Sequence, residues 1–225
     1  MLFQIGLMAL LVPAPIGDPA KPVQAKPAPA KKAVTKPELR KELVARMKAE
    51  QDARIELMQM NPKNQPITPE MQKEGKWKAA LEKTQKIDHD NLAWFKQVVE
   101  RNGWPGKSMV GPDGAQGAFL IVQHAVSDLE FMARCLDLLQ PAYKAGEAEG
   151  QWVALLTDRL LIMREMKKQL FGTQLEFRDG KMVPQPIEDE ANVDQRRKEL
   201  GMQPLEQYLK LVNSRSTGKV KVIPK

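Results

Sequence analysis

From position 43 to position 212 the apolar residues recur mainly at three- and four-residue spacing, the period of helices that bury one face. Thr35-x-x-Glu38 with Pro37 in the first turn reads as a capping box, opening a helix through Met60. Its apolar positions Leu43, Met47, Ile55, Leu57 and Met58 are sparse and its charges dense, so it is expected at the surface, packing by one stripe. Asn61–Pro69 is turn-rich. A second helix is expected over Glu70–Lys86, and a third, capped by Asp88 or Asp90, runs to Arg101 with Leu92, Phe95, Val98 and Val99 in helical phase. Asn102-Gly103 closes that helix, and the glycines and prolines from Trp104 to Gly114 predict an irregular loop.

Ala115–Val126 is apolar nearly all round and is expected to be the central buried helix. Ser127-x-x-Glu130 is a second capping box, starting a helix that Pro141 ends at Gln140, and a further apolar helix spans Trp152–Lys168. Only Gln174–Arg178 and Lys181–Pro184 read as strands, joined through Asp179-Gly180 in a type I′ hairpin turn. Short helices follow at Val193–Leu200, stopped by Gly201, and at Pro204–Val212. The fold class is therefore mainly α: a compact helical bundle over 37–213 with one small β-hairpin, flanked by disordered tails.

The ends of the chain differ from its middle. Leu2–Val12 is an apolar run of about eleven residues, shorter than the ~20 of a membrane span, and small residues follow it. Residues 1–25 read as a signal peptide, although no Lys or Arg precedes the apolar run, and the protein is expected to be secreted or periplasmic with no stable membrane span. Residues 26–36 are a Pro/Ala/Lys linker and 214–225 a basic tail. The net charge of +7 sits in these ends. Five lysines against one aspartate put +4 on residues 1–36, four basic residues put +4 on 214–225, and the middle carries −1. A near-neutral domain lacks the basic footprint of specific nucleic-acid binding. Cys135, the single cysteine, reads as a small core residue, which leaves no Cys-based zinc site.

Several boxes follow one another in a familiar order: Gly103-Trp104-Pro105, Gln123-His124-Ala125, Leu156-Thr157-Asp158-Arg159, Gln169 to Gln174, and Pro186-Ile187 before Val193-Asp194-Gln195-Arg196-Arg197 and Leu200-Gly201. Over residues 40–212 the chain resembles the bacterial domain of unknown function 6624 family. That resemblance implies no activity, the family being uncharacterised, and Phe171 stands where its pattern usually carries Tyr.

Candidate chemistry centres on His124 at the end of the most apolar helix, beside Gln123. Asp158 projects from a helical face otherwise made of Ala154, Leu155, Leu161 and Ile162 and needs a partner, for which His124 is the expected choice. Arg159 points about 100° away on its helix. Gln169, Thr173 and Gln174 bracket Gly172 where a helix gives way to the hairpin, and Arg196 offers a bidentate group for a carboxylate or phosphate. The leading expectation is a pocket that binds a small polar ligand or peptide, with His124 and Asp158 at its centre and Gln123, Arg159, Gln169, Thr173, Gln174 and Arg196 as binding groups. The alternative is a hydrolytic or proton-transfer enzyme in which His124 is general base or acid and Asp158 orients it. A multi-histidine metal site is excluded within one chain, since His89 is the only other histidine, and neither a metal nor a cofactor is expected. The sequence sets no oligomeric state.

Overall fold

The computed structural model describes residues 34–61 and 68–216. The signal-like segment, residues 26–33 of the linker and the tail from 217 lie outside them. Eight α-helices and one two-stranded hairpin make up the described chain: α1 Pro37–Met60, α2 Pro69–Lys73, α3 Gly75–Asn102, α4 Lys107–His124, α5 Leu129–Lys144, α6 Gly150–Met163, β1 Leu175–Arg178, β2 Lys181–Pro184, α7 Val193–Glu199 and α8 Leu205–Ser216, with one 3-10 turn at Glu190–Asn192.

α4 is the central element, as its apolar sequence requires, and every residue from Ala118 to His124 is buried. α1 runs along α4 and α3, and α5 pairs with α6. Gly117 permits the closest of these approaches: a Cβ there would lie 2.8 Å from the Leu43 carbonyl oxygen of α1, so no larger residue fits without moving a backbone. Phe119 stacks on Trp152 at 5.1 Å, and Phe95 meets Trp104 and Phe131 edge-on at 6.3 and 6.4 Å, joining α3, α4, α5 and α6 in one core. Cys135 is fully buried in that core, where burial pushes its thiol up to about 12.

The hairpin forms as the sequence requires, with Asp179 at φ 51° and Gly180 at φ 80° supplying the two left-handed residues of its turn. α8 closes one edge of it. The Asn213 amide accepts from the Met182 N–H at 2.8 Å and donates to the Met182 carbonyl at 3.0 Å, as a neighbouring strand would.

Several expected boundaries move. Thr35 makes no capping box; Lys36 precedes the first turn, and the backbone N–H groups of Thr35 and Lys36 donate instead to Ser108 and Met109 at the start of α4. The second capping box shifts by one residue, Asp128 accepting from the Phe131 N–H at 2.9 Å. Pro141 sits inside the last turn of α5 and does not end it, because a proline there removes one backbone bond from a helix already held by its packing on α6. Residues 107–110 are helical and join α4 across a kink at Gly111, whose φ of 74° no β-branched residue would adopt easily. α6 stops at Met163. Two differences bear on function. The second and third expected helices are one continuous α3, so Asp88 is not a cap but lies mid-helix. α1 packs by one stripe, as expected, but that stripe is charged: Glu50 and Arg54 are buried on it with Leu43, Ala53 and Leu57, while Ile55 and Met58 face solvent.

Candidate functional site

The polar residues singled out in the sequence divide into two groups. The first builds the connection between α6 and the hairpin. Asp158, on α6, accepts from the backbone N–H groups of Leu170 (2.8 Å), Phe171 (3.0 Å) and Thr173 (2.9 Å) and from the Thr173 hydroxyl (2.8 Å). Gln169 spans the same loop, donating to the carbonyls of Gln174 and Gln185 and accepting from the Gln174 N–H at 2.8 Å. Arg196 donates to the carbonyls of Leu170, Glu188 and Asp189, and Arg197 to those of Phe171 and Gln203. These side chains replace the hydrogen bonds that an irregular, buried backbone cannot make to itself.

The second group is buried where α1, α3, α4 and α6 meet. His124 ends α4 with Nδ1 2.6 Å from Glu50 Oε1 on α1. One turn further along α1, Arg54 Nε lies 2.7 Å from the same Glu50 oxygen, and its Nη2 donates to both oxygens of Asp88 on α3 at 3.1 and 3.0 Å. From α6, Arg159 donates through Nη1 to the Gln123 carbonyl and through Nε and Nη2 to Gln174 Oε1. Glu50 is 1% exposed, and His124, Arg54 and Arg159 are each 4% exposed; Asp88 is half-buried. The carboxylate at His124 Nδ1 is therefore Glu50, not the Asp158 expected there as its partner. Asp158 is held by the loop it caps, and the hydrogen-bonded path from it towards His124 runs through Thr173, Gln174 and Arg159 to the Gln123 carbonyl.

The environment drives these groups apart electrostatically. Burial, with Arg54 second, holds the His124 imidazole below its ordinary range and hence neutral. Glu50 is also lowered: burial opposes its ionisation, but His124, Arg54 and Gln51 together outweigh it. Burial raises Asp88 despite Arg54, and burial with the nearby Arg54 charge brings the Arg159 guanidinium down to about 10. A neutral imidazole carries its proton on one ring nitrogen and keeps a basic lone pair on the other. Glu50, Asp88 and His124 also present donor atoms within 4.8 Å of one another, a spacing open to a metal ion, but the Arg54 guanidinium already bridges the two carboxylates as their counter-cation.

The sequence profile of a family of unknown function, DUF6624, matches residues 37–221, which takes in all of both groups. The chain belongs to DUF6624. Comparisons with curated proteins and with solved structures give no match. Of the eight site residues expected from sequence, the DUF6624 fold brings His124, Gln123, Arg159 and Gln174 together at the charged cluster and places Asp158, Gln169, Thr173 and Arg196 in the loop scaffold beside it. Sequence reasoning missed Glu50, Arg54 and Asp88. Their signal is the phase of α1: Leu43, Glu50, Arg54 and Leu57 follow at seven, four and three residues, so a carboxylate and a guanidinium sit where a core stripe calls for leucine. A separate groove of 330 Å³ between α5 and α6, lined by Glu130, Arg134, Asp137, Thr157 and Arg164, contains none of these residues.

Proposed function

We propose that the DUF6624 domain binds a small polar ligand at the Glu50–Arg54–Asp88–His124–Arg159 cluster and that the Glu50–His124 pair exchanges a proton with it. The observation that carries this reading is the 2.6 Å approach of Glu50 to a fully enclosed imidazole, backed by two guanidinium groups. Burying that many charged groups opposes folding unless each is paired, and an apolar stripe on α1 would pack the same space at lower cost. Groups whose proton affinities are pushed apart are what acid–base chemistry uses: neutral His124 as base, and Asp88, raised by burial and open to solvent on one side, as acid. A second reading, binding without turnover, is favoured by the 4% exposure of His124, which leaves little room for a reacting atom.

The test is a comparison of wild type with His124→Gln and Glu50→Gln, each first verified as folded by circular dichroism. Mass spectrometry of material released on denaturation is expected to find a small molecule retained by wild type and lost from both variants. Equal release from all three sinks the proposal. Turnover of that molecule by wild type alone separates catalysis from binding. The apolar run Leu2–Val12 supports the further proposal that the protein is exported. Mature protein from its host is then expected to lack the first ~25 residues, and recovery of intact Met1 overturns export.

A further inference from the structure

Among the described residues two buried guanidinium groups, Arg159 and Arg197, form no ion pair; Arg197 lies over the Tyr208 ring and feels the opposite charges of Asp194 and Asp158, whereas the charge that Arg159 feels is the like charge of Arg54. Glu50 and Asp88 both pair with Arg54, and Asp158 is saturated by four donors. Arg159 is 96% enclosed, yet among the described residues its guanidinium forms no ion pair; its acceptors are the Gln123 carbonyl and the Gln174 side-chain oxygen. The neighbouring Arg54 adds a like charge. An enclosed cation with only neutral acceptors is an expensive arrangement for a fold to keep.

The Gln174 contact has a particular shape. Its Oε1 lies 3.3 Å from both Nε and Nη2, centred on the outer fork of the guanidinium, where one edge of a carboxylate normally sits. Two shorter charge-assisted bonds of about 2.8 Å would form there if two anionic oxygens replaced one amide oxygen. Gln174 is also the outward member of the group: it is half-buried, whereas Thr173, Arg159 and Gln123 are buried. Its amide nitrogen is held by the Thr173 hydroxyl at 3.1 Å and by the Leu155 carbonyl at 3.5 Å, contacts easily exchanged for water when the side chain rotates.

We propose that Arg159 receives a carboxylate group of the ligand, admitted when Gln174 turns off the guanidinium fork. This rests on the ligand-binding reading above and names the chemical class of the ligand: a small organic acid, or a peptide through its C-terminal carboxylate. Bound there, the carboxylate gives Arg159 a direct anionic partner and sets the rest of the ligand towards Gln123 and the neighbouring His124.

Succinate, its neutral analogue succinamide, dialanine and dialanine amide serve as probes, with the full chain followed by thermal unfolding and titration calorimetry at matched ionic strength. Wild type is expected to show saturable stabilisation by succinate, by dialanine, or by both, and none by the two amides. Response to succinate alone assigns a free acid, and response to dialanine assigns a peptide terminus. Gln174→Ala, with the fork already open, is expected to bind the same probe at least tenfold more tightly. Gln174→Glu supplies the carboxylate from within, so it is expected to unfold at a higher temperature than wild type at pH 7, to lose that gain as pH falls below about 4 and the new carboxyl protonates, and to bind neither probe. Arg159→Gln abolishes binding; if that variant does not fold, the two Gln174 variants decide. No saturable response in either wild type or Gln174→Ala, equal response to acids and amides, or a Gln174→Glu protein that unfolds below wild type overturns the proposal. A molecule retained by wild type and lost from His124→Gln, combined with any of those failures, leaves the binding reading standing and removes only the carboxylate.

Discussion

Two buried carboxylates in this domain meet different fates, and the difference lies in what each one faces. Asp158 faces donors that cannot move away, three backbone N–H groups and a hydroxyl, and so fixes the loop that carries Gln174. Asp158→Asn keeps the volume but exchanges acceptor capacity for an NH₂ group aimed at N–H donors, and it is expected to cost about 2–4 kcal/mol in urea unfolding through lost charge-assisted bonds and stranded donors. Glu50 faces an imidazole and a guanidinium, both titratable or mobile. Because the folded state holds His124 below its ordinary 6.5, the unfolded chain binds the extra proton first as pH falls, and stability drains away from about pH 6.5 downward. Glu50, lowered from 4.5, adds a second loss below that value, while Asp88, raised from 3.8, takes up its proton earlier in the fold and works the other way. His124→Gln is therefore expected to flatten the profile between pH 6.5 and 5 and to keep the fall below 4.5, read as unfolding midpoints across a pH series. An unchanged slope between pH 6.5 and 5 would show that His124 is not the group responsible.

At the scale of elements, what could be read from sequence is what local chemistry decides alone. The hairpin follows from Asp179-Gly180 between short β-prone runs, and the buried character of α4 and α6 follows from their density of apolar residues, on nearly every face in α4. Aspartate favours helix starts, so the local pattern makes Asp88 a cap. Its place in the middle of α3 is set by Arg54, 34 residues earlier, a partner no local pattern reveals. The same limit hides Glu50 and Arg54 in the buried stripe of α1: charge density marks solvent unless the partners on other helices are known. For Gly117 the partner is the backbone of α1. Gly117→Ala must push the Leu43 carbonyl away, and it is expected to cost about 1–3 kcal/mol through overpacking, despite alanine's higher helix propensity. Thermal or urea unfolding checks it. A more stable variant would show that α1 and α4 are less closely apposed than this geometry requires.

Across the whole molecule, the charged cluster depends on where α1 is anchored, since Glu50 and Arg54 reach His124, Asp88 and the Arg159 side only if that helix keeps its register on α4. Two devices hold the start of α1. Arg40 forks onto Asp113 with both bonds at 2.8 Å, and residues 35 and 36 bond to Ser108 and Met109, with the Lys36 ammonium reaching the Asn102 side chain. The fold thus begins before the first helix, at Thr35 and Lys36, where the expected linker and the expected cap overlap. Removal of residues 1–33 leaves these bonds in place, whereas removal of 1–36 deletes two backbone donors that α4 uses and exposes the first turn. The longer truncation is expected to unfold at a lower temperature than the shorter one, by about 1–2 kcal/mol for two net backbone hydrogen bonds. The cluster should feel the same change, because a looser α1 weakens the hold of Glu50 on His124, and the pH 6.5 to 5 slope of the longer truncation is expected to shrink as well. Equal midpoints for the two truncations, measured side by side, would place the true start of the fold at Pro37 and leave Arg40 as the sole anchor of α1.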